Sequence, residues 1–263
     1  MAPDTARAAS DILARHWQEG TCIAALPDEL RPRTRAEGYA IQACIEGFTN
    51  APLYGWKIAA TSPAGQAHIA VDGPLAGRLL QERVVAAGSV CPLEGNRMRV
   101  GEIEFAFRMG RTLDPRTEPY SLEEVMSAVD TLHPAIEIPD SRFEPFERAG
   151  EAQLIADNAC AHRFALGEAA PDAWRGMDLA SYVVCGQIND GPRHEGVGRN
   201  VLDDPRLALA WLANELSGLG IKLRAGQVVT TGACVPPMPF APGDRIHGDF
   251  GALGEIAITM AQA

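Results

Sequence analysis

Apolar positions near the start of the chain recur at the spacing of an α-helix. Over residues 5–19 they fall on one helical face, at Ile12, Leu13 and Trp17. After the turn-rich sequence LPDELRPRT, residues 34–37 (TRAE) have the pattern of a capping box, in which a threonine and a later glutamate satisfy free backbone N–H groups. The sequence therefore predicts a helical segment over residues 1–50, with its second helix running toward Phe48.

From Ala51 onward the pattern changes to one typical of β-strands. Short segments rich in β-branched and aromatic residues are separated by Gly, Pro and Asp, which favour turns. The segments are GWKIAAT (55–61), RVGEIEFAFRMG (99–110), HPAIEIPDSRF (133–143), ASYVVCGQIND (180–190) and GEIAITM (254–260). The pattern predicts one β-rich domain over residues 51–263.

Two further helices are predicted inside this β-rich part. Residues 121–124 (SLEE) form a second capping box, and we expect its helix to extend to about Leu132. Asp204 is a typical capping residue, and Pro205 after it suits the first helical position. The apolar sequence that follows runs to Gly218 or Gly220. The elements together predict an α+β fold with helices ahead of the β-rich domain.

Charge and composition exclude several classes of partner. Acidic residues outnumber basic ones by 34 to 23, a net charge of −11, whereas nucleic-acid binding relies on clustered Lys and Arg. No stretch approaches the roughly 20 apolar residues of a membrane span, and the N-terminus lacks the apolar core of a secretory signal. We therefore expect a cytoplasmic protein that binds neither nucleic acid nor membrane. The six cysteines are too scattered for zinc or iron–sulfur motifs.

Three glutamates in two predicted strands form the clearest candidate site. In EIEFAF (102–107), period-two alternation places the apolar residues on one face and Glu102 and Glu104 on the other, about 7 Å apart. Glu137 lies between two isoleucines in AIEIPD (135–140). Buried carboxylates need a partner, and a set of oxygen ligands suits Mg²⁺ or Mn²⁺. Glutamates on the solvent face of a half-exposed sheet fit the pattern about equally well.

Two other features are candidates for the same site. Lys57, one of two lysines in the chain, lies in an apolar run, where a buried lysine either pairs with an acid or has a lowered pKa suited to proton transfer. The alternative is a lysine that reaches solvent from a strand end. Asp157 and Asn158 could hydrogen-bond a substrate or position a water, or could simply form a turn or a helix cap.

Several segments, taken in order, resemble the fumarylacetoacetate hydrolase superfamily, and within it the branch of 2-oxopent-4-enoate hydratases and 4-oxalocrotonate decarboxylases. They are GWKIAATS (55–62), GEIEFAF (101–107), PAIEIPDSRF (134–143), IADNA (155–159), LRAGQVVTTGACVPPMPFAPGDRI (223–246) and DFGALG (249–254). They span nearly the whole chain, and jointly they are specific to the branch. The resemblance implies a mixed β-roll that holds the site, preceded by helices and assembled as a homo-oligomer.

The resemblance also implies residue roles. Glu102, Glu104 and Glu137 match the metal ligands of the hydratases, and Lys57 and Asp157 are the expected catalytic groups. The expected substrate contacts are Ser62, Asn158 and Thr231. The chain departs from the family pattern in two places. Ala59-Ala60 replaces Gly-Leu, and VDGPLAGRLL (71–80) replaces a sequence that helps to wall the pocket, so the resemblance does not determine the exact substrate.

The implied reaction is the hydration of a 2-hydroxy-2,4-dienoate, as in the catabolism of aromatic compounds. The carboxylate and 2-oxygen of the dienol would chelate the metal. Protonation of the dienol at its far carbon gives an unsaturated ketone, and water then adds to give a 4-hydroxy-2-oxo acid. The expected partners are this small acid, other copies of the chain, and a pathway aldolase or decarboxylase.

Three alternatives to hydration remain at this stage. One is decarboxylation of a 4-oxalocrotonate-type acid. Another is C–C bond hydrolysis of an acylpyruvate-like substrate, which commonly uses a His–Glu pair; His68 lies in a suitable region, but no glutamate follows it at helical spacing. The third is an inactive relative that only binds small molecules.

Overall fold

Helices and strands are interspersed along the chain in the computed structural model, which describes residues 1–262. The helices are α1 (Pro3–Glu19), α2 (Arg35–Ala43), α3 (Pro63–His68), α4 (Leu122–Ser127), α5 (Glu151–Ala156) and α6 (Pro205–Gly218). The strands are β1 (Gly55–Ala59), β2 (Leu75–Leu79), β3 (Val84–Ala86), β4 (Val90–Cys91), β5 (Val100–Met109), β6 (Val129–Ile138), β7 (Arg163–Leu166), β8 (Val183–Ile188), β9 (Arg193–Val197), β10 (Val228–Ala233), β11 (Met238–Pro239), β12 (Arg245–Asp249) and β13 (Glu255–Met260).

Helix starts follow the capping signals in the sequence. The Thr34 side chain accepts the Glu37 N–H ahead of α2, and Ser121 forms the full capping box ahead of α4. Asp204 accepts the Arg206 N–H ahead of α6. These side chains satisfy N–H groups that have no partner within the helix, so the three predicted starts are confirmed.

The predicted end of the helix after Ser121 is wrong. Helix α4 ends at Ser127, and β6 already begins at Val129. Val129 pairs with Met109, and β6 runs antiparallel to β5 from there on. Pairing with a neighbouring strand, which no local pattern reports, therefore overrides the helical tendency of this segment. The short helices α3 and α5 were not anticipated from the sequence either.

Two mixed sheets form the β-rich part of the molecule. The larger has the strand order β2-β1-β10-β5-β6-β7-β3, with β11 beside β5, and the smaller has the order β4-β13-β12-β8-β9. Strand β1 runs parallel to β10, whereas β5 runs antiparallel to both β10 and β6. Strands from distant parts of the chain, β1 and β10, therefore lie side by side near the centre of the larger sheet.

The two faces of β5 have different partners. Ile103, Phe105 and Phe107 are fully buried, and the Phe105 ring meets Phe250 edge-on at 5.1 Å. The smaller sheet comes close enough that a Cβ atom on Gly248 would lie 3.2 Å from the Ile103 side chain. This face is the interior between the sheets, so the glutamates of β5 point to the opposite face, as the alternation predicted.

The N-terminal helices share the main hydrophobic core. Leu13 of α1 and Ile41 of α2 belong to the same buried cluster as the core residues of β5. Gln42 donates hydrogen bonds to the carbonyl oxygens of Ala76 and Ile155, which links α2 to β2 and α5. A boundary at residue 50 remains a prediction from the sequence. No helix within residues 1–262 is long and apolar enough to cross a membrane.

Candidate metal centre

The three predicted glutamates converge on one face of the larger sheet. Glu102 lies directly opposite Glu137 in the β5–β6 pairing, and Glu104 is two residues further along β5. One carboxylate oxygen from each lies within 4.8 Å of the others. Glu104 and Glu137 are at most 1% exposed, and Glu104 Oε1 and Glu137 Oε2 accept no hydrogen bond from residues 1–262. Buried carboxylate oxygens without donors are strong candidates for cation ligands.

Lys57 extends from the neighbouring part of the sheet into this cluster. It lies on β1 opposite Gly77 of β2 and Thr230 of β10, and it is 3% exposed. Its Nζ lies 3.0 Å from Glu137 Oε1 and donates a hydrogen bond to the Ala159 carbonyl at 3.1 Å. Burial alone would lower the pKa of Lys57, but the three nearby glutamates outweigh burial and raise it. In the metal-free protein the glutamates thus favour the charged ammonium form of Lys57.

The electrostatics of the cluster favour a divalent cation. Burial raises the pKa of all three glutamates, and it raises that of Glu104 to about 7 with help from the charge of Glu102. Three carboxylates beside the single ammonium of Lys57 carry a net charge of −2 when all are ionised, which is unfavourable in a buried site. A hard divalent ion would neutralise this charge and ligate the free oxygens, so the residues present fit such an ion.

Two residues that the sequence did not single out hold Glu104 in place. The Thr230 hydroxyl and the Gly232 N–H, the latter at 2.9 Å, both donate to Glu104 Oε2. The register between β10 and β5 shifts between Thr230 and Ala233, and this irregularity aims both donors at the same oxygen. The only sequence signal was the polar pair Thr-Thr before a glycine, which does not tell which threonine faces the site.

Gly232 cannot carry a side chain in this position. Its φ is +110°, and a Cβ atom there would lie 2.0 Å from the Thr61 hydroxyl. Thr231, the predicted substrate contact, instead donates its hydroxyl to the Phe105 carbonyl at 3.0 Å and is fully buried. Ser62 accepts the Gly65 N–H at the start of α3. Both hydroxyls thus have protein partners, and their contact with substrate remains a prediction.

Asp157 and Asn158 are held firmly by protein groups. The Asp157 carboxylate forms a buried ion pair with Arg142 and accepts the Ser141 hydroxyl at 2.7 Å. Burial raises the pKa of Asp157, and Arg142 opposes this. The Asn158 amide accepts the Arg78 N–H at 2.6 Å and donates to the Arg78 carbonyl at 2.8 Å. A catalytic role for Asp157 and a substrate contact by Asn158 therefore remain predictions, and these contacts favour supporting roles.

Other groups near the site also contact protein groups, namely two buried arginines that could bind a substrate carboxylate, Arg78 and Arg142, and His68. Arg78 pairs with Glu46 and lies with its guanidinium 4.8 Å above the Trp56 ring, while Arg142 pairs with Asp157. His68 is exposed and contacts the Phe146 ring edge-on at 5.7 Å. Both arginines are thus already paired with acids of the protein, and within residues 1–262 no acid pairs with His68 to help it activate water.

No family model matches the chain. It is 32% identical over 259 residues to a 2-keto-4-pentenoate hydratase from Paraburkholderia xenovorans (strain LB400), covering 97% of this chain and 95% of the relative. It is 31% identical over 237 residues to a 2-oxo-hept-4-ene-1,7-dioate hydratase from Escherichia coli, covering 85% of this chain and 86% of that protein.

A solved structure extends the similarity to the fold. The 4-oxalocrotonate decarboxylase from Pseudomonas putida G7, complexed with magnesium and adipate, superposes with a TM-score of 0.89 at 26% identity, covering 99% of this chain and 98% of that one. The resemblance and the α+β fold expected from the sequence are thereby confirmed. The chain belongs to the 2-oxopent-4-enoate hydratase and 4-oxalocrotonate decarboxylase branch of the fumarylacetoacetate hydrolase superfamily.

Proposed function

We propose that this protein is a hydro-lyase that adds water to a 2-hydroxy-2,4-dienoate and forms a 4-hydroxy-2-oxo acid, with Mg²⁺ or Mn²⁺ as cofactor. The observation that carries the proposal is the cluster of three glutamate oxygens within 4.8 Å, with the Lys57 ammonium 3.0 Å from one of them. Hydratases that share 31–32% of their residues with this chain support the reaction type.

When bound by Glu102, Glu104 and Glu137, the cation would supply Lewis-acid stabilisation of negative charge on the 2-oxygen of the substrate. Lys57 holds a proton at Nζ, and the neighbouring oxygens of Glu137 and Ala159 orient that group. We assign Lys57 the delivery of a proton to the far carbon of the dienol. The hydroxyl proton released from the dienol restores the ammonium of Lys57, and the resulting unsaturated ketone then takes up water across its remaining double bond.

The test follows loss of dienol absorbance from 2-hydroxypenta-2,4-dienoate and its dicarboxylate analogues, with Mg²⁺, with Mn²⁺ or with EDTA, and identifies the products. A hydroxy-oxo acid formed only in the presence of metal supports the proposal. Absence of turnover with this acid and its dicarboxylate analogues, under both metals, would show that the proposed reaction is wrong.

Decarboxylation is the second candidate, because the chain superposes closely on a 4-oxalocrotonate decarboxylase. Such a substrate carries a second carboxylate, and two buried arginines near the site, Arg78 and Arg142, already bind acids of the protein. This arrangement favours a substrate with one carboxylate. The preference for hydration over decarboxylation rests on the relatives, which are hydratases, one of them for a 1,7-dioate. Release of CO₂ from the dicarboxylate analogue would reverse the ranking, whereas cleavage into two acids would indicate C–C hydrolysis.

We further propose that the enzyme is cytoplasmic and forms homo-oligomers, with a pathway aldolase or decarboxylase as an additional partner. The resemblance to the superfamily supports the oligomer. Light scattering coupled to size exclusion measures the mass of the assembly, and a mass near 28.1 kDa would reject the oligomer.

A further inference from the structure

The segment that contacts Lys57 has an unusual backbone. Asn158, Ala159 and Cys160 all have positive φ values, of 56°, 50° and 60°. Each non-glycine residue in this left-handed region costs roughly 1–2 kcal/mol, and three in a row persist only where the surroundings hold them. All three residues are buried. The conformation is therefore maintained by specific contacts, which point to a purpose beyond connecting α5 to β7.

The left-handed run delivers one backbone carbonyl to Lys57. Ala159 O accepts a hydrogen bond from Lys57 Nζ at 3.1 Å, on a group that also lies 3.0 Å from Glu137 Oε1. The ammonium is thus held at two points, by a metal-cluster carboxylate and by this carbonyl. A right-handed backbone at residue 159 would direct the carbonyl elsewhere, and Lys57 would keep only Glu137.

Two side chains anchor the run. The Asn158 amide makes paired hydrogen bonds to the N–H and carbonyl of Arg78, on the strand next to Lys57. The Asp157 carboxylate forms the buried ion pair with Arg142. One anchor thus holds the run to β2, and the other holds it to the segment that follows β6.

Gly77 completes the arrangement. It pairs with Lys57 across β1 and β2, and a Cβ atom there would lie 2.5 Å from the Asn158 carbonyl oxygen and 3.0 Å from Lys57 Cγ. The lysine stem and the left-handed run therefore meet in a space that only glycine leaves open.

We propose that residues 157–160 form a clamp whose function is to position the Lys57 ammonium, and that Asp157 and Asn158 are positioning residues that do not contact substrate. The inference deepens the proposed function, since it takes Lys57 as the proton donor of that reaction. It accounts for why both polar side chains of this segment are fully engaged by protein groups.

The chain offers a direct observation of Lys57. It has only two lysines, and Lys222 is half exposed in a surface pair with Asp114. In protein labelled with [ε-¹³C]lysine, NMR therefore gives one signal for the site and one internal control. Asn158→Asp keeps the shape of the side chain but replaces the donor to the Arg78 carbonyl with an oxygen.

A matched control exists in Asn214, whose amide makes the same pair of bonds to the backbone of Tyr120. Asn158→Asp should shift the Lys57 signal and lower kcat on the order of 10- to 100-fold, because a displaced reacting group loses most of its efficiency. KM and the Mg²⁺ dissociation constant should stay within about threefold. Asn214→Asp should leave the Lys57 signal and kcat unchanged.

A second pair of variants tests the contact between Gly77 and the clamp. Gly77→Ala should move the Lys57 signal and lower kcat in the same way. Gly176→Ala, at an exposed position where no heavy atom lies within 4 Å of the added Cβ, should do neither. If Asn158→Asp and Gly77→Ala fold and bind Mg²⁺ but leave the Lys57 signal unchanged, residues 157–160 do not position Lys57, whichever reaction the enzyme catalyses. A shifted signal in an enzyme that never hydrates the dienol would support the clamp and reject the proposed function.

Discussion

Replacement of Glu104 by glutamine tests the metal centre most directly. The substitution keeps the size of the side chain, and an amide oxygen can still accept from Thr230 and Gly232. It removes one negative charge from a cluster that carries −2 when fully ionised. Mg²⁺ should therefore bind much more weakly, although the fold is retained.

The magnitude follows from the burial of the site. Removing one partner from a buried set of charges costs about 3–5 kcal/mol. Glu104 has a pKa of about 7, so it is half protonated at pH 7, and its full ionisation costs the wild type only ~0.4 kcal/mol. The net loss of about 3–4.5 kcal/mol corresponds to a Mg²⁺ affinity weaker by roughly 10²- to 10³-fold.

Isothermal titration calorimetry in two buffers measures both the affinity and the protons released. The wild type should release protons on binding Mg²⁺ at pH 7, because the metal displaces protons from carboxyl groups whose pKa is raised. Glu104→Gln should release fewer. Exposed Glu195 provides the control, and Glu195→Gln should match the wild type. An affinity of Glu104→Gln within about threefold of the wild type would refute the assignment of Glu104 as a ligand.

Three further outcomes are expected. Lys57→Met should lower kcat by about 10²–10⁴-fold in the dienol assay, the usual contribution of an acid–base group, without weakening Mg²⁺ binding; unchanged kcat would exclude proton transfer by Lys57. Because burial raises the pKa of Glu104 in the folded protein to about 7, the metal-free protein should lose about 3 kcal/mol of stability as the pH rises from 4.5 through 7. Mg²⁺ should therefore raise the Tm more at pH 8 than at pH 6. Calorimetric scans with a larger rise at pH 6 would contradict this. Arg142→Met leaves Asp157 unpaired and should lower the free energy of unfolding in urea by about 3–5 kcal/mol. Arg97→Met, which breaks an exposed pair, should lower it by at most about 1 kcal/mol, and equal losses would show that burial does not strengthen the Arg142 pair.

Local chemistry explains what could be predicted from the sequence. Alternation along residues 102–107 separated the glutamates from the core residues of β5, and the capping residues marked the starts of α2, α4 and α6. These features depend on neighbours within a few positions, and they therefore need no knowledge of the rest of the chain. The error at Leu132 arose where that condition failed, because β6 is stabilised by pairing with β5.

The sequence alone determined which residue types could bind a cation and on which face of their strands they lie, since side-chain chemistry and strand periodicity are local properties. Only the tertiary structure decided their partners. The β5–β6 register places Glu102 opposite Glu137, the parallel β1–β10 pairing brings Lys57 beside Thr230, and a left-handed backbone turns the Ala159 carbonyl toward the lysine. These contacts join residues up to about 170 positions apart, and they depend on packing of the whole fold, which no short stretch of sequence encodes.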